Sequence, residues 1–272
     1  MLSKPGRYVA LGAATVHNVD MVEGAQVVGR VAVVLRAVSA SMPGGIGTRA
    51  VADATGLARP TAHRILDSLA ADGFVDRDRE GARWYFGPEL YLMGAIAAER
   101  YDITDLARDS LRALAADTGE SAFLSARRGD ESVCLLREEG SFPIRSFVLY
   151  EGIRFPLGVA SAGLAMLAFL PPEQVERYLA AADLTPRWGE AHSADAVRRR
   201  IAETRARGYA VNPGLIVEGS WGMGAAVFDR SGQPAWALSL TGVESRFSAA
   251  RQPELGRLLL DHAHRISQRL AR

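Results

Sequence analysis

The 272-residue sequence lacks several features that mark particular classes of protein. Its one cysteine, Cys134, allows no internal disulfide and no cysteine-based zinc site, which fits a reducing compartment such as the cytoplasm. No apolar run approaches the roughly 20 residues that span a bilayer, so no membrane association is expected. The 32 basic residues nearly balance the 31 acidic ones, so bulk charge does not favour coating of nucleic acid. Any nucleic-acid contact must therefore be local.

The composition that remains, with 48% hydrophobic and 23% charged residues, is that of a globular protein of about two domains. Lys4 is the only lysine, and the other Lys or Arg residues are all arginine. The planar guanidinium of arginine can form paired hydrogen bonds with a carboxylate, a phosphate or guanine. Codon usage in a GC-rich genome explains this bias without invoking function. Residues 1–26 contain no strong hydrophobic block or cleavage site, and we interpret them as a mobile or loosely packed N-terminal extension.

Residues 27–87 show the pattern of a winged helix-turn-helix. Helical spacing of apolar residues predicts a first helix, and a second, short helix is expected to begin at Thr48 as its N-cap and to stop at Gly56. A third helix follows with an apolar stripe that contains Ala62 and Leu69. Two short strands, 74–77 and 83–86, then form a hairpin. Residues 88–102 predict a linker helix that is apolar enough to need a covering partner.

The third helix leaves a donor-rich face outside its apolar stripe. Arginine, hydroxyl and imidazole donors lie in its N-terminal half, which suits entry into the DNA major groove. The candidate recognition residues are Arg59, Thr61, His63 and Arg64. Thr48 is expected to contact a phosphate, and the hairpin supplies Arg77, Arg79 and Arg83. The alternative interpretation is a solvated helix face whose hairpin arginines pair with neighbouring carboxylates. The joint pattern favours binding of double-stranded DNA.

Residues 103–272 predict a second domain with a mainly antiparallel sheet, so the fold class is α+β. The pattern gives helices at 104–117, 161–170, 172–182, 193–207 and 251–271, and strands at 121–127, 132–138, 144–149, 209–212, 223–229 and 235–242. Ser161 is expected to be a helix N-cap rather than a nucleophile. His262 and His264 project in different directions on one helix, so we expect no metal, and the sequence indicates no cofactor.

Specific motifs carry a resemblance to a known family over residues 27–272. Gly56-Leu57, Arg59, Thr61, His63-Arg64 and Leu66 match the pattern G-L-x-K/R-x-T-x-H-R-x-L. Further matches are Tyr85-Phe86-Gly87-Pro88, Gly152-Ile153-Arg154-Phe155-Pro156-Leu157, Arg207-Gly208-Tyr209-Ala210-Val211 and Ala225-Ala226-Val227-Phe228-Asp229. In these motifs the chain resembles the IclR family of bacterial transcriptional regulators. The resemblance implies a GAF-like effector-binding domain, homodimers formed through the DNA-binding halves, and homotetramers formed through the effector halves.

Departures from the family pattern concern the effector pocket. The family's glycine-lysine pair is Gly163-Leu164 here, the usual pocket cysteine aligns with Gly222, and Asn212-Pro213-Gly214 replaces acidic residues. The pocket should therefore be roomier and less polar, and suited to an aromatic or amphipathic effector. Its expected residues are Arg145, Phe147, Arg154, Leu157, Gly158, Asn212, Trp221, Gly222 and Met223. Arg145 and Arg154 are candidate partners for a carboxylate, whereas core packing is the more common role for Phe147 or Trp221 taken alone.

The sequence thus predicts a ligand-responsive transcriptional regulator, a repressor or an activator, that is not an enzyme. As a dimer or a dimer of dimers it would place two recognition helices on a pseudo-palindromic operator. The alternative is a small-molecule hydrolase with an N-terminal interaction module. Against that alternative, no nucleophile–base pair or metal set occurs at a usable spacing.

Overall fold

The computed structural model describes residues 26–78, 82–98 and 103–271 and divides the chain into two units, residues 1–101 and 102–272. The predicted N-terminal extension, except Gln26, lies outside the described residues, as do Arg79 and the end of the predicted linker. The helices of the first unit are α1 (Gln26–Ala40), α2 (Thr48–Thr55), α3 (Arg59–Ala71) and α4 (Pro88–Ala98). Its strands are β1 (Ile46–Gly47), β2 (Val75–Arg77) and β3 (Arg83–Phe86), in the antiparallel order β1-β3-β2.

The first unit is built around a small apolar core. Val34 and Val38 of α1 pack with Ala62 and Leu66 of α3, and Trp84 of β3 is 1% exposed in the same cluster. Gly56 ends α2 at a φ of 69°, a left-handed conformation that glycine adopts without strain, as its place in the sequence predicts. The prediction of Thr48 as N-cap is wrong. Gly47 is the N-cap because strand β1, which the sequence did not reveal, runs directly into the helix.

The second unit combines six helices with a six-stranded sheet. Its helices are α5 (Ile103–Thr118), α6 (Ser161–Ala168), α7 (Pro172–Ala181), α8 (Thr185–Trp188), α9 (Ala194–Arg207) and α10 (Gln252–Ala271). Its strands are β4 (Ser121–Arg128), β5 (Glu131–Glu138), β6 (Arg154–Pro156), β7 (Ala210–Pro213), β8 (Ser220–Phe228) and β9 (Pro234–Val243). Every neighbouring pair in the order β6-β5-β4-β9-β8-β7 is antiparallel, so the predicted α+β fold class is confirmed.

Each face of this sheet packs against its own helices, because side chains alternate between the two faces along a strand. Leu238 and Leu240 of β9 point into the core made with α5 and α10. Ala237, on the same strand, belongs to the core that contains α6 and α9. Helix α6 therefore lies on one face, and α5 and α10 lie on the other.

Two sequence predictions in this unit are wrong. Residues 144–149 form no strand, and the edge of the sheet is β6 instead, because the backbone of Cys134 pairs with residues 152 and 153 just before that strand. Ser161 is the first residue of α6 rather than its N-cap, which is Ala160. A hairpin turn at 229–232 joins β8 to β9, and the Asp229 carboxylate accepts hydrogen bonds there from the backbone of Ser231 and Gln233. None of the helices in the described part of the chain is long and apolar enough to cross a membrane.

Candidate nucleic-acid interface and small-molecule pocket

The outer face of α3 carries the predicted recognition residues. Arg59, His63 and Arg64 are exposed and Thr61 is partly buried, while Ala62, Leu66 and Leu69 face the core. His63 Nδ1 lies 2.8 Å from Asp67 Oδ2, one turn further along the helix. Asp67 therefore holds the imidazole on this face, and the two guanidinium groups flank it in sequence.

Trp84 joins three elements of the first unit around this face. Its indole Nε1 donates a hydrogen bond of 2.9 Å to Thr48 Oγ1 at the start of α2. The guanidinium carbon of Arg77 in β2 lies 5.3 Å from the centre of the indole ring, and the His63 ring packs edge-on at 6.4 Å. The sequence prediction did not include Trp84 as a site residue. Its buried indole holds Thr48, His63 and Arg77 in a fixed relation.

The remaining arginines of the first unit have unequal roles. Arg83 Nη1 donates to the carbonyl oxygens of Gly44 and Gly45, both at 3.1 Å, so this side chain anchors the segment between α1 and β1. Arg49, exposed in the first turn of α2, was not predicted. It lines an open cleft of about 550 Å³ together with Arg59 and Asp53. Arg79 lies outside the described residues.

The structure brings together only part of the residues predicted for the effector pocket, because Asn212 of β7 pairs with Gly222 of β8 but other members lie elsewhere. Met223 is fully buried and Trp221 partly buried in the core with α5 and α10, whereas Gly222 between them faces α6. Leu157 is fully buried in the core on the α6 side. A run of three consecutive strand residues cannot line one pocket, because its middle member points the opposite way.

The predicted polar residues of the pocket already have partners. Arg145 pairs with Glu139, and Arg154 pairs with Glu131 at 3.1 Å. Asn212 Nδ2 donates to the carbonyl of Val159 at 2.7 Å, and Asn212 Oδ1 accepts a hydrogen bond from the backbone of Leu215. Each of these two guanidinium groups therefore already has a carboxylate partner.

Two further predicted pocket residues lie in irregular segments before α6. Phe147 is 72% exposed on the segment between β5 and β6. Gly158 lies in the turn before α6, with the side chain of Val197 beside it.

A different group of residues forms a polar face beneath α6, which we call the hydroxyl face: Ser161, Gly222, Gly224, Ser239 and Thr241. Ser239 and Thr241 are 0% and 6% exposed, and their hydroxyl oxygens have no hydrogen-bond partner among the described residues. A methyl group on Gly222 would lie 3.1 Å from Ser161 Oγ. The space that the sequence predicted at Gly222 is thus bounded by Ser161. Buried hydroxyls without partners are uncommon in proteins, and such groups usually bond to water or another polar atom.

Comparisons with known proteins agree with this architecture. The family described as "IclR helix-turn-helix domain" matches residues 27–79, and "Bacterial transcriptional regulator IclR C-terminal" matches residues 95–268. The chain belongs to the IclR family of bacterial transcriptional regulators. A related regulator, BhcR of Paracoccus denitrificans, is 30% identical over 225 residues, which cover 82% of this chain and 80% of the relative.

Solved structures of IclR-family proteins share the fold. The Thermotoga maritima IclR structure is 26% identical, has a TM-score of 0.69, and covers 91% of this chain and 99% of that one. An IclR homologue from Microbacterium hydrocarbonoxydans, complexed with 4-hydroxybenzoate, is 22% identical with a TM-score of 0.72 and covers 89% and 98% of the two chains. This chain is thus a helix-turn-helix transcriptional regulator, and the hydrolase alternative has no support.

The IclR-family motif falls on α3, but it did not reveal the exposed arginine on the neighbouring helix. Arg49 could have been found from its exposed place in the first turn of α2, since the first helix of such a motif crosses the DNA backbone. Ser239 and Thr241 gave no local signal, because only strand pairing places them opposite Gly224 and Gly222.

Proposed function

We propose that this IclR-family protein reads its operator through the exposed N-terminal half of α3. The observation that carries the proposal is the division of α3 into a buried stripe and an outer face with Arg59, His63 and Arg64. Guanidinium groups in the major groove bind guanine edges bidentately. Arg49 and Arg77, exposed on neighbouring elements, are placed to contact phosphates. Arg83 supports the fold rather than the DNA contact. The Thr48 hydroxyl accepts a hydrogen bond from Trp84, and its own proton can be donated to a phosphate.

Gel shift with the DNA upstream of the protein's own gene tests this proposal. Arg64→Ala should weaken binding by about 1–3 kcal/mol at physiological salt if Arg64 reads a base. Arg108→Ala, on the exposed surface of α5, is the control and should change nothing. Equal affinity of the Arg64 variant and the wild type would remove Arg64 from the recognition surface.

We also propose that the protein binds this operator as a homodimer formed through the first unit. Helix α4 exposes four large apolar residues, Tyr91, Leu92, Met93 and Ile96, between 50% and 77%. Apolar patches of this kind mark interfaces between proteins. Ile96→Lys should therefore convert the dimer to a monomer in light scattering, and it should weaken operator binding. An oligomer of unchanged mass would exclude α4, and the same measurement on the wild type decides whether dimers pair into tetramers.

For the effector we propose an aromatic or amphipathic molecule with one hydrogen-bonding end at the hydroxyl face. Ser239 and Thr241 supply two unpartnered hydroxyls, whereas Arg145 and Arg154 are held in ion pairs. A phenolic or alcohol group therefore suits this end better than a carboxylate. The 4-hydroxybenzoate bound by the Microbacterium hydrocarbonoxydans relative carries a phenolic group at one end and a carboxylate at the other. The bound molecule is released unchanged, as expected of a cytoplasmic sensor rather than an enzyme.

Calorimetry with 4-hydroxybenzoate, glyoxylate and pyruvate tests the effector class. The aromatic compound should bind, and Thr241→Val should weaken it because one hydroxyl is lost. Met223→Leu is the control, since Met223 lies on the other face of the sheet. Binding of glyoxylate or pyruvate alone would refute the aromatic proposal.

A further inference from the structure

Helices α5 and α10 pack side by side on the face of the sheet away from α6, and a cleft lies between them. Its volume is about 320 Å³, at the lower end of the range for pockets that hold small molecules. Ser110 and Ala113 of α5 and His262, Arg265, Ile266 and Arg269 of α10 line it. The six-stranded sheet separates this cleft from the hydroxyl face, so the two places are independent.

Two arginines of the cleft are free of carboxylates. Arg265 and Arg269 lie one helical turn apart and are both exposed. Within residues 103–271 neither forms an ion pair, and Arg265 Nε only donates a hydrogen bond of 3.3 Å to the carbonyl of Asp261. By contrast, Arg257 on the same helix pairs with the Asp261 carboxylate at 3.0 Å. The cleft therefore presents two guanidinium groups that can grip one oxyanion.

His262 supplies a second and independent observation. Its side chain is buried, with 4% of the residue exposed, and its Nδ1 atom has no hydrogen-bond partner among the described residues. Burial and the neighbouring positive charge of Arg265 lower the pKa of this imidazole. A buried polar atom without a partner is costly, which makes Nδ1 a point for a hydrogen bond from or to a ligand.

The rest of the lining combines two apolar residues with the neutral polar residues Ser110 and Gln268 and the acidic Asp109. Ile266 is 1% exposed and Ala113 is partly buried, so these two side chains form an apolar surface beside the polar atoms. Asp109, which is 88% exposed and 4.0 Å from Arg112, is the one carboxylate among the described residues that line the cleft. The charged end of an anion is thus directed to the α10 side, away from Asp109.

We propose that this cleft binds a small organic oxyanion, a carboxylate or sulfonate on a short apolar body, by joining the Arg265–Arg269 pair and His262 to the apolar surface of Ala113 and Ile266. The anionic oxygens meet the guanidinium groups, and the apolar body covers Ala113 and Ile266. Such a ligand ties α5 to α10. Because the site lies across the sheet from the hydroxyl face, it does not depend on the proposed effector.

Calorimetry with benzenesulfonate tests this proposal on the full chain. The wild type should bind the probe, and Arg265→Ala/Arg269→Ala should weaken binding at least tenfold. Arg257→Ala, which removes a guanidinium from the same helix but outside the cleft, should leave the dissociation constant within twofold. Inorganic sulfate, which lacks the apolar body, should bind at least tenfold more weakly than benzenesulfonate.

The imidazole signal of His262 in the NMR spectrum locates the probe. This signal, assigned by its loss in His262→Gln, should shift on titration of the wild type and stay in place in the double arginine variant. No binding to the wild type would overturn the proposal. Undiminished binding to the double variant would also overturn it, because the probe would then occupy another site such as the hydroxyl face.

Discussion

The two faces of the six-stranded sheet differ in the size and polarity of their side chains. Facing α6, the central strands present Gly222, Gly224, Ser239 and Thr241. Facing α5 and α10, the same strands present large apolar residues such as Met223 and Leu240. Both faces carry a buried apolar core, but the α6 face also holds buried hydroxyls that lack partners among the described residues. Adjacent residues of one strand thus serve two different environments, large apolar side chains toward α5 and α10 and small or hydroxyl side chains toward α6.

The largest loss of stability is expected from a substitution on the face toward α5 and α10. Leu240→Ala removes a fully buried side chain between Ala122 and Met223, and it should lower the free energy of unfolding by about 2–5 kcal/mol. Urea denaturation measures the change, with Val217→Ala, a half-exposed residue of the same unit, as control. A loss below about 1 kcal/mol would mean that this face is not packed as a core.

On the α6 face, replacing a glycine by alanine should lower the free energy of unfolding by less than Leu240→Ala does. A methyl group at Gly224 would lie 2.9 Å from the backbone oxygen of Ser161, so Gly224→Ala should cost about 1–3 kcal/mol by displacing α6. Gly222→Ala meets only the Ser161 hydroxyl, which can rotate, and should cost less. The same urea experiment compares the two variants. Equal losses would show that α6 does not approach the sheet more closely at Gly224.

This comparison also explains what the sequence could predict. The winged unit was predictable because its signals are local: Gly56 at the turn, one apolar stripe on α3, and donors on the face that remains. The hydroxyl face was not, because Ser239 and Thr241 meet Gly224 and Gly222 only through strand pairing. Taking Trp221, Gly222 and Met223 as one set ignored the alternation of side chains along a strand.

The strand predicted at 144–149 failed for a related reason. Its apolar residues suggested a buried run, but Ile144 is 63% exposed and Phe147 is 72% exposed. Hydrogen bonds of Ser146 with Ser220 and of the Phe142 backbone with Gly119 hold this segment in an irregular path. Contacts between residues so distant in sequence leave no periodic signal.

A third prediction concerns the pH dependence of stability, because a buried histidine lies among the helical segments on each side of the sheet. Burial lowers the pKa of His192, which precedes α9, and of His262 in α10. Both are therefore neutral in the folded state at pH values where the unfolded chain already binds a proton. Their contribution to stability is complete above about pH 6.5 and is lost as pH falls through the lowered pKa values.

Urea midpoints measured between pH 7.5 and 5 should show this loss, with at most about 1.4 kcal/mol per pH unit for each histidine. His192→Gln and His262→Gln should each flatten the profile. His264→Gln, at an exposed position of α10, is the control and should leave the slope as it is. A wild-type profile that rises as pH falls from 6.5 would contradict the assignment of neutral buried imidazoles.

The smallest expected changes in the free energy of unfolding come from removing one buried hydroxyl, and they should differ in sign between the hydroxyl face and helix α5. Thr241 Oγ1 on the hydroxyl face has no partner among the described residues, whereas Thr118 Oγ1 in α5 donates to the Leu114 carbonyl at 2.6 Å and accepts from the Glu120 backbone. Both residues are buried, at 6% and 4% exposure. Replacing either by valine keeps the shape and removes the hydroxyl. Thr118→Val should therefore lose about 1 kcal/mol, while Thr241→Val should be neutral or more stable without ligand. Destabilisation by Thr241→Val equal to that of Thr118→Val would mean that the Thr241 hydroxyl is already satisfied and is not kept for a ligand.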